Sequence, residues 1–413
     1  MLINLKKDIE KSLYILEEEG RLKGKEKVIV DILPPKDGFG KKIEMEDGKR
    51  LINFASNSYL GLSNDKRLID LEHASSLKYG VGPGAVRFIS GTQKPHVDLE
   101  NKLAKFFNKE AAMIYSSAYG TNCGIIAPLV NEKTIIISDE LNHNSIINAI
   151  RLSGIPRNRK KIYSHCDMKD LEKCIIESSG TAERLLIVSD GVFSMRGDYP
   201  PLQKMVEIAD KHYSKFKDGI TTIIDDSHGI GALGETGRGV VEVCQTNGID
   251  IITGTLGKAL GVDGGFVVTD AKIIEYLREI SPFYVYSNPI SSGVASAALK
   301  ALEILDSNEG INLLKKLREN SEYFRKGVEN IGLKTIEGHH PIIPIIIGDP
   351  IKAKEIALKL YEKDIFVVAL TFPVVPRGQD LIRVQISADH TKKDLDYALK
   401  SLKVVSQEVG IIN

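Results

Sequence analysis

The sequence predicts an α/β protein, with a large domain built on a mainly parallel sheet and a smaller C-terminal α+β domain. Three observations carry that expectation. From about residue 51, short Ile- and Val-rich runs alternate with helical patterns, as in buried parallel strands joined by helices. After Pro289 the pattern changes to longer helices with isolated strands between them. The chain has 413 residues, 42% of them hydrophobic, which is enough for two or three packed domains.

Residues 1–50 read as a helical arm. In MLINLKKDIEKSLYILEEEG, Leu2, Leu5, Ile9, Leu13 and Leu16 recur at helical spacing, and PPKDGFGKKIEMEDGKR (34–50) suits a hairpin. The apolar face of that helix needs the rest of the chain or a second subunit to dock on. Residues 51–290 form the large domain, with helices at Lys66–Tyr79 and Leu99–Phe107. Its strands are expected at Thr134–Ile137, Leu185–Val188, Thr222–Ile224, Ile249–Ile252 and Phe266–Val268. Pro201–Lys217 is a crossover helix with Pro in its first turn. Residues 291–413 form the small domain. Helices are expected at Ser291–Leu305, Ile311–Ile331, Ile351–Lys363 and Thr391–Val409, and strands at Pro341–Ile347, Ile365–Val368 and Leu381–Ile386.

Composition excludes several functions. Lys+Arg and Asp+Glu number 55 each, so the net charge is zero, unlike the basic excess of a general nucleic-acid binder. Basic runs such as Arg157–Lys161 (RNRKK) are short and read as solvated loop. Cys123, Cys166, Cys174 and Cys244 are scattered with no CxxC pair, which supports neither a metal site nor a disulfide framework and suits a reducing compartment. No apolar run approaches the roughly 20 residues of a membrane span. Charges interrupt the N-terminal helix, unlike the core of a signal peptide. The expectation is a soluble cytoplasmic protein that binds neither membrane nor nucleic acid.

Ligands of open α/β sheets bind where strands end. Three strand ends here carry reactive residues: Ser189–Ser194 (SDGVFS), Asp225–His228 (DDSH) and Thr253–Lys258 (TGTLGK). A lysine after a Gly/Thr-rich turn raises the possibility of a phosphate-binding P-loop. That motif fails, because Ile252 stands where its first Gly belongs and Ala259 replaces its Ser/Thr. Dinucleotide binding fares no better, since Gly80–Gly84 (GVGPG) follows a helix and lacks the GxGxxG spacing. The remaining reading is a Schiff-base lysine, Lys258, holding pyridoxal phosphate (PLP), with Thr255 near the phosphate. Asp225 suits the acid that keeps the pyridine nitrogen protonated, and His228 the partner of the ring hydroxyl. Alone, DDSH is a surface turn; with GTLGKALG downstream it is a cofactor site.

In order along essentially the whole chain, NFASNSYLGL (53–62), VRFISGTQ (86–93), ISDELNHNSII (137–147), SDGVFSMRGD (189–198), DDSHGIGALGETGRG (225–239), IITGTLGKALG (251–261) and LIRVQISADHT (381–391) resemble the α-oxoamine synthases. These are PLP-dependent transferases of fold type I that condense an amino acid with an acyl-CoA. VRFISGTQ, IITGTLGKALG and PVVPRGQDLIRVQISADHT look most like the glycine C-acetyltransferase branch, which joins glycine to acetyl-CoA and serves threonine degradation in reverse. The alternative branch uses L-alanine and a pimeloyl thioester to make 8-amino-7-oxononanoate.

The resemblance implies roles by position. Lys258 forms the Schiff base and moves the Cα proton, Asp225 pairs with the ring nitrogen, His228 bonds the phenolic oxygen, and His143 stacks on the ring. Ser117, Ala118, Tyr119 and Thr255 hold the phosphate, as helix N-termini favour anions. Arg383 clamps the substrate carboxylate, a task suited to a bidentate fork. Asn57 and Ser194 position the substrate. A homodimer is implied, with Ser287 and Asn288 reaching the phosphate of the other subunit. Val86, just before Arg87, is β-branched and should crowd any side chain on the substrate, favouring glycine over alanine by roughly 10- to 200-fold. Departures from the family pattern are Tyr119 in place of Phe, Arg196 in place of Asp, Asp263, and a long Lys211–Gly219 link. A catalytically silent regulatory subunit is the competing class, and an intact Lys258 argues against it.

Overall fold

The computed structural model describes residues 2–19, 21, 22, 24–372 and 374–413. Met1, Gly20, Lys23 and Pro373, which touch the expected arm helix and the PVVPRGQD segment, lie outside the described residues.

The chain divides into two compact units: one of 57–321 with 337–341, the other of 1–56, 322–336 and 342–413. The division passes through the helix Asn308–Asn330.

The larger unit holds a seven-stranded sheet in the order Ala111–Tyr115, Gly265–Thr269, Ile251–Thr255, Ile220–Asp225, Arg184–Asp190, Thr134–Asp139, Lys160–Tyr163. Five neighbouring strands run parallel, while Gly265–Thr269 is antiparallel to both its neighbours. The sequence pattern predicts Phe266–Val268 to be parallel like the rest. The link 256–264 is too short for a parallel crossover, which takes about a dozen residues or more, so the chain turns straight back. Two strands were not anticipated. Ala111–Tyr115 closes one edge, and Lys160–Tyr163 takes part of the basic run expected to be loop.

Buried Ile, Val and Leu from the central strands meet the helices Ala118–Ile126, Asn144–Leu152 and Ala271–Ile280 in one core that includes Met113, Cys123, Ile136, Ile146, Val188, Ile223 and Leu277. Each such side chain contributes about 1.5–3 kcal/mol on burial. The crossover helix spans Leu202–His212 and ends in a tighter turn at Tyr213–Lys215.

In the smaller unit, Ile29–Leu33, Lys42–Met45 and Arg50–Asn53 form an antiparallel meander, which includes the expected hairpin. Ile365–Phe366 then adds in parallel to Arg50–Asn53, and Gln385 N donates to Phe54 O at 2.8 Å. A second sheet runs Lys334–Thr335, Ile342–Ile346, Leu381–Gln385, Val368–Leu370. These bounds differ from the expected ranges. Residues 1–50 do not stand apart, because the parallel pairing at Ile52 and Asn53 joins them to the C-terminal segment. The helix Ser292–Leu305, expected in the small domain, lies in the larger unit. Its stripe of small residues allows close approach to Lys66–Tyr79: Ser75 Oγ donates to Ser292 O at 3.0 Å, and a Cβ on Gly293 would meet Ser76 Oγ at 2.6 Å. The N-terminal helix Ile3–Glu18 buries none of its residues, and Leu2, Leu5, Ile9 and Leu13 are exposed. Among the described residues no helix is long and apolar enough to cross a membrane.

Candidate active site

Strands Arg184–Asp190, Ile220–Asp225 and Ile251–Thr255 are adjacent and parallel, and register places Asp190 beside Asp225 and Asp225 beside Thr253. Their C-terminal ends therefore open on one side of the sheet. A cavity of about 200 Å³ lies there, lined by Ala118, Tyr119, His143, Ser145, Asp190, Val192, Ser194, Asp225, Ser227, His228, Thr255 and Lys258. Eight of the residues singled out from sequence are among them.

Asp225 is buried and held on both oxygens, accepting from Asn122 Nδ2 at 2.6 Å and from Ser227 N at 3.0 Å. Asn122 is itself fixed, since its amide also donates to Ser145 Oγ and its oxygen accepts from Thr253 Oγ1. His143 caps the helix Asn144–Leu152. Its Nδ1 accepts from Ser145 N at 3.2 Å and lies 2.8 Å from Ser145 Oγ, while the backbone N–H of His143 donates to Asp190 Oδ2 at 2.7 Å. Burial holds the His143 imidazole below its usual pKa against the opposing pull of the Asp225 carboxylate, and Lys258 adds to the lowering, so the ring is neutral at pH 7. Burial and the neighbouring Asp225 push the Asp190 carboxyl well above the carboxylate range, and the same two causes act on Asp226.

Ser117 caps the helix Ala118–Ile126, accepting from Gly120 N at 3.0 Å. This helix starts flush on the sheet because residue 265 is Gly: a Cβ there would stand 2.4 Å from Ala118 N. Tyr119 uses its hydroxyl, absent from Phe, to bond Asn144 and Asn148 on the next helix. Thr255 Oγ1 donates to Gly264 O and accepts from Gly257 N, which shapes the loop carrying Lys258.

Other expected residues are not among those that line this cavity. Ser117, Asn57, Val86, Ser287 and Asn288 belong to the larger unit but are not among the residues lining the cavity. Val86 is half-buried and precedes the short helix Arg87–Ser90, Ser287 is half-buried, and Asn288 is exposed. Arg383 is half-buried in the other unit, on Leu381–Gln385, facing Pro344 and Val368 in register. Sequence reasoning missed Asn122 and Ser145, and it placed Asp190, Val192 and Ser227 at the strand ends without giving them a role. Asp190 carried a visible signal, since IVSD ends its strand as TIID ends the next.

One further cluster supports the loop that carries Ser194. His165 Nδ1 lies 3.1 Å from Asp139 Oδ1, its Nε2 lies 3.3 Å from Asp198 Oδ2, and Arg196 Nε donates to Asp198 at 2.7 Å. Arg196, unusual in its motif, thus shares one carboxylate with His165. Asp139, His165 and Cys166 bring three metal-capable atoms together, but both ring nitrogens of His165 already face carboxylates. Burial would lower the pKa of His165, yet the bonds to Asp139 and Asp198 outweigh it and raise it to about 11. The folded value lies above the unfolded one of about 6.5, so this stabilisation is complete below pH 6.5 and is lost as pH rises towards about 11. Urea unfolding at pH 6, 8 and 10 should therefore show the wild-type advantage over His165→Gln shrinking with pH; a constant difference would refute the charged pair.

A buried strand-end carboxylate, a lysine on the neighbouring loop, a neutral imidazole and a helix N-terminus around one cavity define a pyridoxal-phosphate enzyme. The donor set fits that group: Asp225 for a ring nitrogen, Lys258 for its aldehyde, the Ala118 helix for a phosphate. Ser227 Oγ, buried with no partner among the described residues, remains to be satisfied. The family model for aminotransferase class I and II matches residues 49–402. The 8-amino-7-oxononanoate synthase of Symbiobacterium thermophilum is 42% identical over 367 residues, covering 89% of this chain and 91% of that one. The 2-amino-3-ketobutyrate coenzyme A ligase of Escherichia coli K12 is 39% identical over 373 residues, covering 90% and 91%. A solved serine palmitoyltransferase (SPT) with PLP superposes with a TM-score of 0.89 at 25% identity, covering 100% of both chains. The chain belongs to the aminotransferase class I and II family, among its α-oxoamine synthases, and PLP is its cofactor.

Proposed function

We propose that the protein is a glycine C-acetyltransferase, joining glycine to acetyl-CoA to give 2-amino-3-oxobutyrate and CoA. The observation that carries this reading is Val86: β-branched and half-buried at the head of the short helix Arg87–Ser90, it would crowd any side chain on the amino acid and so favours glycine over alanine. The 39%-identical relative named a 2-amino-3-ketobutyrate coenzyme A ligase supports the two-carbon acyl group.

When bound, PLP supplies the electron sink for the pair left at the amino-acid Cα. Lys258 takes the Cα proton, the Cα–C bond to the acetyl carbonyl forms, the C–S bond breaks, and the thiolate leaves as CoA. Asp225, oriented by Asn122, keeps a proton on the ring nitrogen. His143, neutral, covers the ring face. Ser194 positions the substrate. We place the active unit in a homodimer, as the family suggests, with Ser287 and Asn288 turned to the second subunit.

The second reading is 8-amino-7-oxononanoate synthesis from alanine and a pimeloyl thioester, favoured by the name of the 42%-identical relative. CoA release by the PLP-loaded protein separates the two. Glycine with acetyl-CoA should exceed alanine with pimeloyl-CoA in kcat/KM by at least about tenfold. The opposite order would assign the protein to the second reaction and refute Val86 as a size filter.

A further inference from the structure

The NSYLGL segment (57–62) stood out in the sequence, yet the reaction as proposed assigns nothing to its tyrosine. Tyr59 is fully buried, and its hydroxyl lies 2.8 Å from Nδ1 of His228, 169 residues away. The backbone of His228 is held as well. Nε2 of the fully buried His340 lies 2.8 Å from its carbonyl oxygen, which can only accept, so His340 donates. The His340 ring meets Tyr59 edge-on, with centroids 5.4 Å apart at 88°. Neither residue lines the cavity, whereas His228 does.

The segment is itself fixed on both catalytic loops. A Cβ on Gly231, three residues after His228, would stand 2.5 Å from Ala259 and 3.5 Å from Leu60, and one on Gly261, three after Lys258, 2.5 Å from Ser63 N. Tyr59 is thereby presented to the imidazole by a rigid support.

A neutral imidazole has one donor nitrogen and one acceptor, and the partner of one nitrogen decides which carries the hydrogen. The imidazole nitrogen is a far better acceptor than a phenol oxygen, so the hydroxyl is the natural donor of this pair. Among the described residues, the ionisable groups near the ring include Asp225 and Asp226 on its own turn, Lys258 in the same cavity, Tyr59 and His340. We infer that Tyr59 is a positioning residue: it donates to Nδ1 of His228 and so fixes the tautomer with hydrogen on Nε2, the nitrogen that would donate to the cofactor's phenolic oxygen. The inference rests on the role proposed for His228 and not on the choice of amino acid or acyl group.

The test is ¹⁵N NMR of histidine-labelled, PLP-loaded protein, with the His228 signals assigned by their loss in His228→Gln. In the wild type, Nδ1 should be unprotonated and Nε2 protonated. Tyr59→Phe, which removes only the hydroxyl, should populate the other tautomer, shift the pH midpoint of the cofactor's absorption band, and lower kcat roughly tenfold with the amino-acid KM within about twofold. A proton on Nδ1 in the wild type would overturn the inference without any variant. So would a Tyr59→Phe protein that keeps Nε2 fully protonated. Should glycine prove to be the wrong substrate, the nitrogen signals would be untouched, which keeps the two failures apart.

Discussion

Replacing Lys258 with Ala lowers acyl transfer by at least about a thousandfold, the upper part of the range that a positioned acid–base group supplies. Lys258 is the only amine among the cavity's lining residues, on the loop that follows Ile251–Thr255 and beside the fixed carboxylate of Asp225. His143 is the other candidate base and is neutral, but its Nδ1 already accepts from Ser145 N. The step assigned to Lys258 can be isolated from the rest of the reaction. Incubating the PLP-loaded protein with glycine in D₂O, without acyl-CoA, should exchange a Cα hydrogen for deuterium in the wild type. Exchange should be lost in Lys258→Ala, while the urea midpoint of the variant stays close to wild type. A variant that exchanged at the wild-type rate would remove Lys258 from the proton transfer, whatever the acyl substrate proves to be.

The centre of this site was legible because it sits where apolar runs stop. Ile223 and Ile224 bury themselves in the sheet, so the polar residues that follow in Asp225–His228 must fall at its rim, and Thr255–Lys258 follow the same logic one strand over. What could not be read is whatever depends on pairing across long stretches of sequence. AAMIY (111–115) continues a helical pattern and is rich in Ala, yet antiparallel pairing with Gly265–Thr269 makes it a strand. KKIY (160–163) is an edge strand whose polar residues need not be buried, so its pattern resembles a loop. The same holds for chemistry. Nothing local marks Asn122 as the residue that orients Asp225, and nothing near His165 announces that Asp139 and Asp198 enclose it. The placement of residues 1–56 with the C-terminal segment belongs to this class too, since it rests on the contacts of Ile52 and Phe54 with strands more than 300 residues away.

Glu100 carries the largest stability effect we expect from one isosteric change: Glu100→Gln should cost about 3–5 kcal/mol, the range for removing one partner from a buried ion pair. Two guanidinium groups share this carboxylate. Arg87 bonds it twice, at 2.6 and 3.1 Å, and Arg278 once, at 2.8 Å, while Ile114 N donates to the same oxygen that meets Arg87 at 2.6 Å. The side chains of Arg87 and Glu100 are only 5% and 7% exposed. The amide of Gln would fill the same space, so no cavity term enters and the loss is that of charge. It would leave two cations with no anion between them and turn an N–H towards a guanidinium. Both cations also lie over the Tyr284 ring, at 5.4 and 5.5 Å, so the strain would spread to the segment that leads to Ser287 and Asn288 as well as to the turn that carries Val86. Urea unfolding at saturating PLP measures the cost, because ligand linkage then stays equal between variants. The exposed pair Lys66–Asp70 is the control, and Lys66→Gln should change stability by no more than about 0.5 kcal/mol. A Glu100→Gln cost as small as that of Lys66→Gln would mean that water reaches the triad and that its burial does not set its energy.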